Sequence, residues 1–306
     1  MLCHLKRSRA ITSLKRFVSQ QTSNDGSLQY CANVVRQHDY ENYLATLLMT
    51  KAIRSPAFVI RAFNAEVARV QDQTKDPQTA AMRLQFWQDS LNSLYSNNPN
   101  PTNINANPIT QELHKVCLSY KLPKRYLERL ISSRSGLLKM KYFSTLEDVE
   151  KYSENTVSTI YYLLLFVAGV TDVHADHAAS HLGKAQGIAN ILRSVHVFSH
   201  HKSVSLPMDV LMKYQVSQES VLRGKDNENI RNAVFEIASR ANSHLQKGRS
   251  INVPKITKQM FLPAVAIERY LNKLQKVNFD VFNKSLMLSS PILPISLYWK
   301  RILNKY

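Results

Sequence analysis

Three histidines in the segment HADHAASH have the spacing of a metal-binding helix face. His174, His177 and His181 are three and four residues apart, so on an α-helix they would share one side. Converging imidazoles are ligands that Zn²⁺ prefers. However, no HExxH glutamate and no partner cysteine accompanies them. The same segment also fits an ordinary helix start capped by Thr171 or Asp172, and we adopt that interpretation and expect no metal.

Other residue types that carry chemistry do not form a known catalytic motif. Cys3, Cys31 and Cys117 are too few and too scattered for a zinc site or a disulfide framework. The sequence contains no G-x-S-x-G motif, no P-loop and no dinucleotide-binding fingerprint. These patterns therefore indicate no serine hydrolase, no P-loop enzyme and no dinucleotide-dependent enzyme.

The composition favours an all-α protein with an anionic partner. Only 7 of the 306 residues are glycine, fewer than turn-rich β folds and glycine-rich phosphate loops need. The formal net charge of +18 suits nucleic acid, an anionic membrane or a diphosphate, although a basic protein in a basic compartment would show it too. No RNP-like strand and no GxxG loop supports RNA binding, so we expect no nucleic-acid partner.

The first 24 residues have the composition of a mitochondrial transit peptide. Residues 1–24 contain five Lys or Arg and no acidic residue, with apolar residues spread between the charges. A plain basic tail is the alternative, but the amphipathic, acid-free pattern favours a mitochondrial address. The rest of the chain keeps 35 Lys and Arg against 22 Asp and Glu, so its basic character does not depend on this segment.

Helical periodicity covers most of the remaining sequence. We predict one all-helical domain over residues 25–280, with a Pro- and Asn-rich loop at 96–108 and a helix that starts at Ser55-Pro56. Two long neighbouring helices, Leu146–Val170 and His174–Val195, are expected to line its centre. The longest apolar run, Ile160–Val170, has eleven residues, about half of what a transmembrane helix needs.

The C-terminal part of the chain is strongly basic. Between Lys247 and Tyr306 there are eleven Lys or Arg and only two acids, Glu268 and Asp280. Residues 281–306 form the predicted basic C-terminal tail, which ends in SLYWKRILNKY. Apolar and aromatic residues beside cations suit the surface of an anionic membrane. An ordinary solvated helix face is the alternative.

Several segments resemble the squalene/phytoene synthase family. Gly183–Arg193 followed by Ser205-Leu206-Pro207 is similar to the family pattern G.A.Q..NILRD..ED…YLP. The other matching segments are Tyr40-x-x-Tyr43-Leu44, Arg54, Ile60-Arg61-Ala62-Phe63 and Tyr152-x-x-x-Thr156. The resemblance covers about residues 30–280. It implies an all-α isoprenoid-synthase fold, in which a helical bundle surrounds a central cavity.

The two aspartate-rich motifs of that family are degenerate in this sequence. The family uses them to hold the Mg²⁺ ions that promote ionisation of a diphosphate substrate. In the first, the resemblance places Ala68, Arg69 and Asp72, of which only Asp72 is acidic. In the second it places three residues without any acid, namely Ser194, Val197 and Phe198. We therefore expect no prenyltransferase activity and no cofactor.

A mitochondrial branch of the family without enzymatic activity is similar over further segments. These are Arg83–Trp87, Tyr152–Thr156, His174–His181 and Leu206–Asp209. The branch assists the assembly of respiratory complex I. The resemblance implies a non-catalytic chaperone or scaffold that is peripheral on the matrix side of the inner membrane. Its partners would be complex I assembly intermediates, in particular the ND1 subunit.

Some residues that the family pattern retains are candidates for contact with a ligand or a partner segment. They are Arg54, Asn190 and Arg193. The anionic head of a prenyl lipid or phospholipid could be bound without magnesium by Arg54, Arg193 and Lys202. Magnesium-independent lipid binding, or residual prenyltransferase activity, is therefore the alternative to an assembly role.

Overall fold

A computed structural model describes residues 26–74, 76–96, 107–140, 142–200, 204–288 and 290–306, without side chains for 196–200. The predicted transit peptide, 1–24, and most of the predicted loop 96–108 lie outside these ranges. None of the described residues is in a β-strand, in agreement with the all-α prediction. The α-helices are α1 Ser27–His38, α2 Tyr40–Leu47, α3 Lys51–Arg69, α4 Pro77–Leu94, α5 Pro108–Tyr120, α6 Lys124–Met140, α7 Leu146–Ser153, α8 Thr159–Val167, α9 Val173–His200, α10 Met208–Lys213, α11 Gln218–Leu222, α12 Glu228–Ser250, α13 Pro263–Lys276 and α14 Leu293–Ile302.

Helix α3 begins one turn earlier than the Ser55-Pro56 pair predicts. The helix starts at Lys51, so Pro56 lies inside it and the prediction of a start at Pro56 is wrong. A proline inside a helix leaves the carbonyl four residues earlier without its donor. Here that carbonyl belongs to Ala52, and the Tyr120 hydroxyl donates to it at 3.1 Å. The tertiary contact supplies the missing donor, which local sequence rules cannot foresee.

The predicted helix Leu146–Val170 is interrupted by a π-helical turn, Glu154–Ser158, which lies between α7 and α8. Turns of this kind are rare and are frequently found at functional sites. The Glu154 carboxylate accepts hydrogen bonds from the hydroxyls of Tyr162, at 2.5 Å, and Ser180, at 2.7 Å. It thereby ties the turn to α9, the long helix that crosses it.

Small residues allow α9 to cross the π-helical turn closely. Gly183 and Gly187 face Ser158 and Ser153, and a Cβ added at either glycine would lie 2.1 Å from the facing serine Oγ. The Ser158 hydroxyl donates to the Ser180 carbonyl at 3.1 Å across this crossing. Helix α12 packs along another side of α9, so α9 is the central helix of the described bundle.

Residues 281–306 pack against the helical body. Leu293 and Leu297 of α14 are buried against residues of α2 and α13, among them Ala45 and Ala266. The hydroxyl of Tyr306, near the end of the chain, donates to the Gly248 carbonyl at 3.3 Å. Within the described ranges, no helix is both long enough and apolar enough to cross a bilayer.

Candidate functional site

A cavity of about 1290 Å³ lies inside the bundle. Its walls come from α3, α6, the π-helical turn with its flanking helices, α9 and α13, together with the corner between α1 and α2. The residues before and after the π-helical turn, such as Tyr152 and Ile160, line one wall. Gln186 of α9 faces them, and its side-chain oxygen accepts a hydrogen bond from the buried Tyr161 hydroxyl at 2.6 Å.

The structure brings most of the predicted site residues to this cavity. Ala68, Arg69 and Asp72 line it from the end of α3 and the turn after it, and Asn190, Arg193 and Ser194 line it from α9. The side chains of Val197 and Phe198, and the whole of Lys202, lie outside the described part of the chain. Arg54 does not line the cavity, because it lies at the start of α3, where its Nη1 donates to the Leu47 carbonyl at 3.3 Å.

The described residues at the two degenerate motifs do not fit a magnesium cluster. Arg69 forms an ion pair with Glu66, with Nη1 3.0 Å from Oε1, and thus places a cation beside the first motif. In the second, the Ser194 hydroxyl donates to the Ile191 carbonyl at 2.7 Å. Protein sites for Mg²⁺ usually supply one or two carboxylates, which bind each ion together with substrate phosphates and water. Among the residues described, no three His, Cys, Asp or Glu side chains are arranged to hold an ion.

Arg193 contacts one acidic and one aromatic residue from distant parts of the chain. Its Nη1 lies 2.7 Å from Oε2 of Glu41 on α2, and Nη2 lies 3.3 Å from Oε1, so the pair is bidentate. The guanidinium also lies over the Tyr270 ring, 4.5 Å from its centroid. Arg193 therefore joins α9 to α2 and α13 at the cavity wall.

Arg61 is a buried cation on the cavity wall that our sequence analysis did not select. Only 3% of the residue is exposed, and its Nε and Nη2 atoms have no hydrogen-bond partner among the described residues. Burial lowers the pKa of Arg61, and nearby Asp39 opposes that shift. Burial likewise raises the pKa of Asp39, while Arg61 and the hydrogen bond from Asn42 oppose it. The sequence feature that could have identified Arg61 is the presence of an arginine inside the apolar run FVIRAF.

The described lining of the cavity has more cationic than acidic side chains. Seven Lys or Arg and three Asp or Glu contribute to it: Arg61, Arg69, Arg134, Arg193, Arg269, Lys273 and Lys276, against Asp39, Glu41 and Asp72. A cavity with this excess attracts anions, because its low-dielectric walls focus the field of the charges. The same walls carry aromatic and aliphatic residues, so an amphiphile with an anionic end suits them.

The three histidines of HADHAASH are not brought together as ligands. His174 and His177 are exposed on α9, whereas His181 is half-buried and has its Nδ1 2.9 Å from Nδ1 of His244 on α12. Nε2 of His244 lies 3.2 Å from the Glu150 carboxylate of α7. The pair therefore connects three helices outside the cavity.

This histidine pair predicts a loss of stability in mild acid. Burial lowers the pKa of His181, and His244, Lys184, Lys247 and His177 lower it further by repulsion. Below pH 6.5, which is the ordinary pKa of a histidine, the unfolded chain therefore binds more protons at this residue than the folded protein does. The free energy of unfolding should therefore decrease as the pH is lowered below 6.5. This group can contribute at most about 1.4 kcal/mol per pH unit to that decrease.

Urea denaturation across that pH range tests the expectation. The His181→Asn variant should show a weaker pH dependence than the wild type. His174→Asn is the matched control, since His174 lies exposed on the same helix. An unchanged pH dependence in His181→Asn, or an equal change in the control, would contradict it.

Comparison with known proteins defines the class to which this architecture belongs. The sequence profile described as squalene/phytoene synthase matches residues 35–291. A solved structure described as a dehydrosqualene synthase in complex with ligand superposes with a TM-score of 0.73 at 16% identity, over 90% of this chain and 95% of that one. At such low identity the superposition shows the fold alone.

Relatives of higher sequence identity show to which group within this class the chain belongs. The chain is 41% identical over 281 residues to NADH dehydrogenase (ubiquinone) complex I, assembly factor 6 of Bos taurus, covering 90% of this chain and 83% of that protein. It is 39% identical over 304 residues to the homolog of that factor in Drosophila melanogaster, covering 98% and 90%. The chain belongs to the squalene/phytoene synthase family and, within it, to the complex I assembly factor 6 group.

Proposed function

We propose that this protein is an assembly factor for mitochondrial respiratory complex I. The observation that carries the proposal is its identity of 39 to 42% with five animal proteins that bear this name, over 89 to 98% of its own length. More specifically, the protein acts early, in biogenesis of the ND1 subunit, from the matrix side of the inner membrane. The transit-like composition of residues 1–24 supports the mitochondrial address.

The protein works in this role as a non-catalytic scaffold or chaperone. Ala68, Arg69 and Ser194 stand where the resemblance places metal ligands, and none of the three can bind Mg²⁺ as a carboxylate does. The cavity remains open to a ligand despite these replacements. It offers a partly apolar chamber in which a segment of an unassembled subunit could be sheltered.

Depletion of the protein tests the assembly role. We expect complex I to fall on native gels while the other respiratory complexes keep their levels, and pulse labelling to show early loss of newly made ND1. Normal complex I, with a change in prenyl-derived lipids such as ubiquinone, would instead indicate an enzyme. Re-expression of the wild-type chain is the control, since it should restore complex I.

A second function, magnesium-independent binding of an anionic lipid, is favoured by one observation. Arg61 lies on the cavity wall, and two of its nitrogen atoms have no hydrogen-bond partner among the described residues. Guanidinium donors form strong, often bidentate hydrogen bonds with phosphate oxygens. The ligand would then be a prenyl lipid or a phospholipid rather than a polypeptide segment.

Titration calorimetry separates the two functions. Geranylgeranyl diphosphate and a short-chain phosphatidic acid would be titrated into the purified chain, each with and without Mg²⁺. Heat that does not depend on magnesium and that is lost in Arg61→Gln would support lipid binding. No heat with either ligand would remove this second function and leave the assembly role untouched. Product formation with magnesium would show residual prenyltransferase activity.

A further inference from the structure

Large apolar side chains are exposed along the last part of the described chain. Eight of them, between residues 287 and 303, are each 47 to 70% exposed. We call this set the C-terminal apolar face: Met287, Leu288, Ile292, Ile295, Tyr298, Trp299, Ile302 and Leu303. Single exposed apolar residues are normal on soluble proteins, whereas large apolar patches mark interaction sites. Eight exposed apolar residues within positions 287–303 therefore indicate an interaction site.

Helix α14 is apolar on both of its sides, which explains the cluster. Its inner residues, Leu293 and Leu297, are buried against α2 and α13. Ile295, Trp299 and Ile302 follow one another at spacings of four and three, so they form a second stripe that faces outward. A helix of a soluble monomer normally has a polar outer side, whereas each residue of this outward stripe is apolar and more than half exposed in the described structure.

The charged residues around the C-terminal apolar face indicate what kind of partner it binds. Residues 281–306 contain four Lys or Arg and no acidic residue, and Lys284 and Lys305 are exposed. Tyr298 and Trp299 are residue types that favour the boundary between water and hydrocarbon. Apolar and aromatic residues flanked by cations are typical of helices that lie in the surface of an anionic bilayer.

The cavity and the C-terminal apolar face share two residues. Met287 and Leu288 line the cavity and are also 58% and 70% exposed, so they form part of its rim. Lys273, which lines the cavity too, holds this rim by donating to the Leu288 carbonyl at 3.1 Å. Arg269 fixes the start of α14, with Nη1 donating to the Ser296 hydroxyl at 2.8 Å.

We propose that the C-terminal apolar face docks on an anionic lipid bilayer and seats the cavity mouth against the membrane surface. An apolar segment or lipid tail could then pass between bilayer and cavity without crossing water, which avoids the cost of hydrating apolar surface. The inference deepens the proposed function, because it names the surface by which a protein peripheral on the inner membrane would bind there. It does not depend on which molecule the cavity holds.

Flotation of the purified full-length chain with lipid vesicles tests the docking surface. The probes are vesicles of phosphatidylcholine alone and of phosphatidylcholine with cardiolipin. We expect binding to the cardiolipin vesicles only. Brominated lipid should quench the emission of Trp299, which is 60% exposed, while Trp87 is 6% exposed and should be unaffected.

Two pairs of variants separate the apolar and the charged contributions. Ile295→Ser with Trp299→Ser should weaken vesicle binding at least about tenfold. Its matched control is Met82→Ser with Leu118→Ser, which are 68% and 65% exposed on α4 and α5. Lys284→Gln with Lys305→Gln should weaken binding by about fivefold per lysine. Lys139→Gln with Lys225→Gln, both exposed elsewhere, is the charge control.

Three results would overturn the inference. The first is unchanged flotation of the Ile295→Ser, Trp299→Ser variant. The second is an equal loss in its control pair. The third is a wild-type dimer in sedimentation analysis that this variant makes monomeric, because a second copy would then cover the face. Since vesicle binding is measured without complex I, a failed docking surface and a failed assembly role give different results.

Discussion

The Gly183→Ala variant is expected to be unstable or unable to fold. A Cβ at residue 183 would lie 2.1 Å from Oγ of Ser158 and 2.4 and 2.5 Å from its Cα and N atoms. The last two belong to the backbone of the π-helical turn, which cannot rotate away as a side chain can. We expect a loss of about 3 kcal/mol or more in the free energy of unfolding, at the upper end of overpacking effects.

Urea denaturation followed by circular dichroism measures this effect, and Gly136→Ala is the matched control. Gly136 lies inside α6, and a Cβ there would meet nothing within 4 Å. Alanine is the better helix former, so this control should gain about 0.5 to 1 kcal/mol. Opposite signs for the same substitution would show that close helix crossing, and not helix propensity, requires glycine at residue 183.

The neighbouring Gly187 allows a sharper version of the test. A Cβ at residue 187 would meet mainly the side chain of Ser153, at 2.1 Å from Oγ and 2.3 Å from Cβ. Adding Ser153→Gly to Gly187→Ala should therefore recover part of the lost stability. Adding Ser158→Gly to Gly183→Ala should recover little, because the backbone contact remains. Equal recovery in both double variants would contradict the geometry of the crossing.

Periodicity and composition predicted the helical class correctly, but tertiary contacts decided the helix boundaries. The scarcity of glycine and the helical spacing of apolar residues follow from local physics, and both pointed to an all-α fold. The start of α3 could not be predicted from local sequence, because the Ala52 carbonyl obtains its hydrogen-bond donor from Tyr120, 68 residues away. The π-helical turn was missed for the same reason, since Glu154 is fixed by Ser180 of α9.

The site could be predicted only in part. Motif resemblance selected Ala68, Arg69, Asp72, Asn190, Arg193 and Ser194, which the structure places around one cavity. It could not show that Arg193 pairs with Glu41, because those residues are 152 positions apart. Nor did it select Arg61 as a site residue, because its burial and the lack of partners for two of its nitrogen atoms among the described residues are visible only in the structure. Both properties arise from the packing of several helices.

The Ala68→Trp variant is expected to abolish the assembly role without unfolding the protein. Ala68 lines the cavity from the last turn of α3, and its side chain is exposed to the cavity space. An indole at residue 68 would fill part of the chamber without displacing a packed core residue. The free energy of unfolding should therefore change by less than about 0.5 kcal/mol.

Complementation of depleted cells measures the functional effect. If the cavity holds a segment of a complex I subunit or a lipid, Ala68→Trp should leave complex I at the level of depleted cells. Ala81→Trp is the control, because Ala81 is exposed on α4 and does not line the cavity. That variant should restore complex I fully.

Comparison of Ala68→Trp with the Ile295→Ser, Trp299→Ser variant shows whether assembly requires the cavity, the C-terminal apolar face or both. Full restoration by Ala68→Trp, with failure of Ile295→Ser, Trp299→Ser, would mean that assembly depends on the membrane-facing surface and that the cavity is not used. Failure of both variants would mean that the cavity and the surface at its mouth act together. The outcome therefore tests whether the cavity of this synthase-like fold has a role in complex I assembly.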